Sequence, residues 1–161
     1  MFDKGVYLLL LELETGRNIK AGRLPETYFN AGFYLYVGRA RSGLRQRVER
    51  HLRKGKRIFW HIDYFLRKAK IREIFIKPDY LDECRMIMSI IKLLKQARIA
   101  QEKFGASDCG CGGHLIYLGK EPNSKKLRKQ LGLEKIARKT KFGRWLTHGI
   151  QVGEKALDKG P

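Results

Sequence analysis

Residues able to do chemistry concentrate in two stretches of this chain. The first is Gly32-Phe33-Tyr34-Leu35-Tyr36-Val37-Gly38-Arg39-Ala40, followed at once by Arg45-Gln46-Arg47-Val48-Glu49-Arg50-His51. The aromatic alternation reads as a strand that Gly38 ends, and the basic amphipathic run reads as the helix leaving it. A strand delivering Tyr36 to a glycine turn, then Arg47 and His51 one helical turn apart, could build an active site. The same pattern also describes a plain strand–turn–helix with a solvated basic face. The second stretch is Cys109-x-Cys111-x-x-His114. With Cys84 or Asp108 as a fourth ligand it could bind zinc tetrahedrally. Its C-x-C spacing is shorter than the usual C-x-x-C, and buried thiols in a reducing compartment account for the same residues.

The elements that must position these groups follow from periodicity. Gly5 to Glu12 is aliphatic, with Tyr7 near its start, and predicts a strand buried on both faces. The turn-rich Glu14 to Asn18 predicts a hairpin whose return strand is Ile19 to Leu24, and Phe33 to Val37 follows as the next strand. Three tightly connected strands favour an antiparallel meander. Ser42 is the expected N-cap of a helix from Gly43 to Arg53 that buries Leu44, Val48 and Leu52. Arg45, Arg50 and Arg53 lie elsewhere around that helix, solvated or facing phosphate. Phe59 to Leu66 reads as an aromatic helix, Ile71 to Ile76 as a strand stopped by Pro78-Asp79, and Tyr80 to Glu102 as the longest helix. A glycine-rich loop, Phe104 to Gly113, precedes a short strand at His114 to Leu118. The composition turns strongly basic after Gly119, where Ser124 to Leu131 predicts a helix and Phe142 and Trp145 are the aromatic anchors. The expected fold class is α+β, a small antiparallel sheet flanked by helices, with a domain over 1–119 and a basic, partly helical extension over 120–161.

Composition narrows the partners. The 161 residues are 43% hydrophobic, enough for a core in one domain of ordinary size. Against 35 Lys plus Arg stand 16 Asp plus Glu, a formal net charge of +19. Such a balance favours polyanions through counterion release from phosphates. No apolar run has the length of a membrane span, and no signal-peptide core stands at the N-terminus. Three cysteines are too few, and odd in number, for a disulfide framework. These features predict a cytoplasmic, nucleic-acid-associated protein with no membrane partner; they do not separate a binder from an enzyme.

Taken in order, Gly5-Val6-Tyr7, Tyr36-Val37-Gly38, Arg47 and a helical Glu83 resemble the GIY-YIG nuclease family. The segments Gly32 to Gly38, Arg50-His51, Trp60-His61-Ile62-Asp63-Tyr64, Glu83-Cys84 and Phe104 to Cys109 resemble most closely an uncharacterised branch of it. That branch is found mainly in archaea and some bacteria, sometimes fused to endonuclease III-type repair glycosylases. The resemblance covers roughly residues 5 to 118. Two departures stand out. The two tripeptides are far apart, so an extra strand and loop from about Arg17 to Ala31 must be inserted. The asparagine that closes the site in many members has no obvious counterpart, with Ser107 and Asp108 as substitutes.

The resemblance implies a metal-dependent endonuclease hydrolysing DNA phosphodiesters, in repair or recombination. Glu83 would hold one Mg²⁺ or Mn²⁺, a cation that keeps much of its hydration shell. Arg47 would pair with the scissile phosphate through its planar fork. The general base stays open between Tyr7, Tyr36 and His51, since a phenol needs a lowered pKa and an imidazole does not. Gly38, Arg39, Arg45 and His61 are the expected substrate-side residues, although packing beside Trp60 would equally explain His61. The alternatives are a nucleic-acid-binding module that kept the fold without catalysis, and a zinc-stabilised adaptor for a repair enzyme through Cys84, Cys109, Cys111 and His114.

Overall fold

The longest uninterrupted aliphatic run of the chain becomes the centre of its sheet. In the computed structural model, which describes residues 3–106, 109–137 and the backbone of 146–147, β1 (Gly5–Leu13) is buried along almost its whole length. On one side it pairs antiparallel with β4 (Gly32–Ala40), and on the other with β5 (Lys70–Pro78). Four shorter strands extend the sheet: β6 (Arg98–Ile99), β7 (Leu115–Gly119), β8 (Glu134–Ala137) and β9 (Leu146–Thr147). The order is β6-β7-β4-β1-β5-β8-β9, antiparallel throughout.

Both faces of β1 are apolar because both are covered, as the unbroken leucine run requires. Alternation sends Tyr7, Leu9 and Leu11 to one face, beside Tyr34 and Tyr36 of β4. That face is closed by α1 (Leu44–Leu52) through Leu44 and Val48, and by α2 (His61–Leu66) through Ile62 and Phe65. Val6, Leu8 and Leu10 go to the other face with Leu35, Val37 and Phe75. There α3 (Glu83–Leu93) and α4 (Ser124–Leu131) pack Met86, Ile87, Ile90, Leu127 and Leu131. Each such side chain taken fully from water contributes roughly 1.5–3 kcal/mol. Among the described residues no helix is long and apolar enough to cross a membrane.

The expected α+β class and antiparallel sheet hold, and the structure corrects several local readings. Ile19 to Leu24 is not the hairpin partner of β1. Instead β2 (Arg17–Ile19) and β3 (Thr27–Phe29) pair only with each other, dropping Ile19 and Phe29 into the core above Tyr34. The insertion between the tripeptides is therefore a ribbon laid over the sheet, and β1 meets β4 directly. Helix α1 is capped not by Ser42 but from a distance: Gly43 sits at φ 65°, and Asp3 accepts from the amides of Gly43 and Leu44. The long helix expected to reach Glu102 stops at Leu93, because the chain turns to add β6 to the otherwise unpaired edge of β7. The boundary expected at residue 120 falls inside the packed body: α4 begins at Ser124 as its sequence implies, Leu127 and Leu131 are buried, and β8 pairs with β5. Phe142 and Trp145 lie outside the described residues.

Candidate active site

Register brings the two tripeptides face to face. In the β1–β4 ladder Tyr7 stands opposite Gly38, and a Cβ on Gly38 would collide with the Tyr7 phenol. Glycine is needed there for space and not for its backbone freedom. Tyr7 and Tyr36 are thereby held on one face of the sheet with ring centroids 6.4 Å apart. They form the floor of a cleft of about 410 Å³, which Arg39, Arg47, Trp60, His61, Glu83, Gly105 and His114 also line.

Arg47 is placed by α1 and fixed at both ends. Its Nη1 donates to the Arg39 carbonyl at 3.0 Å, and its guanidinium lies 4.7 Å from the Trp60 ring centre. Arg50 also lies over Trp60, at 4.3 Å, and pairs with Asp63 through two bonds of 3.0 and 2.9 Å. The fully buried Asp63 also accepts from the amides of Phe59 and Trp60, both at 2.8 Å. Burial alone would raise the Asp63 pKa, but these donors outweigh it and hold it below the usual carboxylate range. Sequence reasoning missed the role of Asp63, an anchor under the Trp60–Arg47 wall. Its position at the start of α2, three residues after Trp60, was the available signal.

His51 does not line the cleft. It lies behind Tyr7, 2% exposed, sharing a 2.7 Å hydrogen bond between Tyr7 Oη and His51 Nε2. Burial lowers its pKa to about 3, so the imidazole is neutral at neutral pH. Burial raises both tyrosines above the ordinary phenol value, and Arg47 only partly offsets it. Arg45 is turned away from the cleft wall and pairs with Glu49 at 3.1 Å.

Glu83 enters from the opposite side, in the first turn of α3, where Asp82 caps the helix by accepting from the Arg85 amide. Its Oε1 is 3.6 Å from Arg39 Nε and its Oε2 is 3.4 Å from His114 Nδ1. One carboxylate in a polar-walled cleft with room for waters fits a hydrated Mg²⁺ or Mn²⁺. His61 takes a structural part: its Nδ1 accepts from the Gly105 amide at 2.8 Å, and burial lowers its pKa. Gly105 is at φ +70°, and a Cβ there would press on Tyr36 and His114 at 3.3 Å. Ser107 and Asp108, the expected substitutes for the closing asparagine, lie outside the described residues.

Beside this cleft, Cys84, Cys109, Cys111 and His114 bring four ligand atoms within 4.8 Å of one another, a group that could hold a metal ion. Cys84 and Cys111 are disulfide-bonded and Cys109 is a free thiol, a single cross-link within the cluster and not a disulfide framework.

Neither curated proteins nor solved structures gave a match to this sequence. A family model does match, over residues 6–136, described as "Domain of unknown function DUF123". The match runs past residue 120 and ends in β8, in agreement with the packing of α4 and β8 onto the sheet. With two tyrosines and a glycine in register, an arginine on the first helix and a glutamate across the cleft, the chain belongs to DUF123, a family related to the GIY-YIG nucleases.

Proposed function

We propose that this protein is a metal-dependent endonuclease that hydrolyses DNA phosphodiesters. The observation that carries the reading is convergence. Tyr7, Tyr36, Arg47 and Glu83 come from four separate stretches of sequence and line one cleft. The +19 charge supports a polyanionic substrate.

In this reading Glu83 holds a divalent cation, which when bound supplies positive charge for the phosphoryl oxygens and the departing alkoxide. Arg47, locked by Arg39 and Trp60, meets the scissile phosphate with its remaining guanidinium donors. Tyr7 is the phenol that faces the attacking water. The 2.7 Å hydrogen bond that Tyr7 Oη shares with His51 Nε2 fixes the phenol from behind. Burial holds the Tyr7 pKa above its ordinary value, so the phenol positions the water as a neutral hydroxyl and does not deprotonate it. Tyr36, one ring away, completes the wall against which the water is held. A cellular setting in DNA repair, in the cytoplasm, belongs to the same proposal.

The test is incubation with branched, nicked and plain duplex DNA in Mg²⁺ or Mn²⁺. The wild type should cleave, and Glu83→Ala should lose at least about 10²-fold in rate, the scale of removing one transition-state stabiliser, with DNA affinity retained. Binding without cleavage on all three substrates would leave a nucleic-acid-binding module in its place.

A further inference from the structure

The cysteine–histidine group is built around a point that the proposed reaction does not use. Cys84 Sγ arrives from the first turn of α3, one residue after Glu83; Cys109, Cys111 and His114 arrive from the loop before β7. His114 is buried, with Nε2 at 3.2 Å from Cys109 Sγ and 3.1 Å from Cys111 Sγ. Cys109 Sγ is 3.8 Å from Cys84 Sγ. A disulfide between Cys84 and Cys111 uses two of these groups and gives no reason for a third thiol and an imidazole to aim at the same sulfurs. A tetrahedral Zn²⁺ does: Zn–S near 2.3 Å and Zn–N near 2.0–2.1 Å set ligand atoms about 3.5–3.8 Å apart. Cys84 and Cys109 already have that separation, while Cys109–Cys111 at 2.9 Å and the two His114 contacts have to open by less than about 1 Å once the disulfide is reduced. The loop itself needs such a tie. It carries Gly105, Gly110, Gly112 and Gly113, so few side chains are available to pack it, yet Gly105 and His114 wall the cleft.

We propose that in the reduced protein Cys84, Cys109, Cys111 and His114 hold one structural Zn²⁺, and that His114, ligating through Nε2, uses its Nδ1–H to position the Glu83 carboxylate. A zinc-bound histidine commonly donates its second nitrogen to a carboxylate, fixing ring and carboxylate together. Here the 3.4 Å approach of Nδ1 to Glu83 Oε2 supplies that partner. Thiolate sulfurs and an imidazole select zinc over the hard cation assigned to the cleft. The disulfide is then the oxidised, metal-free state. A dithiol reductant gives it two electrons and two protons, becoming a disulfide itself, and Zn²⁺ then displaces three thiol protons to solvent. The positioning half rests on Glu83 being the cation ligand of the cleft; the zinc half does not.

The full chain, reduced and exposed to Zn²⁺, then freed of excess metal, should retain one equivalent by atomic emission. Replacement by Co²⁺ should give thiolate charge-transfer absorption and the visible bands of a tetrahedral site. Cys109→Ser should lower zinc affinity at least tenfold. His114→Cys is the discriminating variant, because it offers a fourth thiolate and removes the Glu83 contact. It should keep one zinc while weakening Mn²⁺ binding, read by electron paramagnetic resonance, by roughly 10–100-fold. Glu83→Ala identifies the Mn²⁺ signal. Less than a tenth of an equivalent of zinc in the reduced wild type overturns the site, whether or not DNA is cut. Zinc retained with unchanged Mn²⁺ affinity in His114→Cys overturns the positioning. Zinc bound by a protein that cuts no DNA sinks the nuclease reading and leaves the zinc site standing.

Discussion

The two faces of one sheet carry different kinds of side chain, although the same three strands supply both. On the helix α3–α4 side, β1, β4 and β5 present Val6, Leu8, Leu10, Leu35, Val37 and Phe75 as an apolar centre. Charge is confined to its margin, where Glu73 accepts from Ser124 Oγ and Lys77 donates to the Leu131 carbonyl of α4. On the α1–α2 side they present Tyr7, Tyr34 and Tyr36, and beneath the covering helices lie the buried polar groups His51 and Asp63. An interior of aliphatic groups is tolerant of chemistry and sensitive to volume. A polar interior is the reverse, since each buried donor or acceptor must find its partner. The cleft is floored from the polar side by Tyr7 and Tyr36, with Glu83 reaching it from the first turn of α3, and there a change of one atom alters hydrogen bonding and charge. The aliphatic side serves as the rigid backing.

The largest effect that could break this division comes from the backing. Phe75, fully buried against Leu8, should cost about 3–5 kcal/mol of stability when replaced by alanine, measured by denaturant unfolding. Cleavage per folded molecule should stay at the wild-type level. A large loss of rate in the folded protein would mean that the two faces are coupled through the sheet.

How far the sequence reveals this arrangement depends on the range of the interaction. Tyr7 and Glu83 stood out as site residues only through the resemblance to the GIY-YIG nucleases. Strand alternation and helical spacing are local patterns, so they brought out Tyr36, Arg47 and the leucine-rich central strand. The α4 helix was legible for the same reason, with Asn123 and Gly132 marking its ends. His51 was found, yet its placement behind Tyr7 was not, because which side of a helix meets which residue of a strand is set by packing. Asp3 capping α1 and the ribbon that lays Phe29 over Tyr34 are contacts set by packing that no single stretch encodes. Asp63 capping α2 was readable from its spacing to Trp60, but its pairing with Arg50 of α1 was not. The end of α3 at Leu93 was missed because edge-strand pairing outweighs an apolar period that continues past it.

The buried imidazole of the polar face gives the next effect in size. His51 is held neutral, with a folded-state pKa of about 3 against an unfolded value near 6.5. Between those two values the unfolded chain binds the extra proton, so stability rises with pH across that interval. Its contribution is complete above about pH 6.5 and is lost as pH falls toward 3, with a slope approaching ~1.4 kcal/mol per pH unit. Asp63 adds to the acid loss only lower down, because its depressed pKa sustains the Arg50 pair until the pH falls below the ordinary carboxylate range. Unfolding curves from pH 7 to 4.5 for wild type and His51→Gln should therefore diverge, the variant being flatter. Parallel curves would show that His51 is not the titrating group.

Where the faces meet, at the ladder itself, the effect is smaller and more local. Gly38→Ala places a methyl against the Tyr7 phenol and should cost about 1–3 kcal/mol, the usual cost of overpacking. It should also displace the phenol from His51, so cleavage falls even at temperatures where the fold persists. Stability lost with full activity would show that the phenol has another place to go.

The smallest effect is the sharpest test of the comparison. Leu8→Met keeps volume on the aliphatic face and should cost less than about 1.5 kcal/mol, because methionine adapts to the space a leucine leaves. Tyr7→Phe, one residue away on the other face, also nearly conserves volume. It removes a single oxygen, however, and leaves His51 Nε2 without the bond that Tyr7 provides. The two variants differ little in shape and greatly in chemistry. Calorimetric unfolding and cleavage measured side by side should show a near-silent Leu8→Met in both assays. Tyr7→Phe should fold and lose most of its rate. If Leu8→Met slowed cleavage tenfold while unfolding normally, the aliphatic face would be tuning the cleft, and the division between backing and chemistry would fail at the strand that carries both.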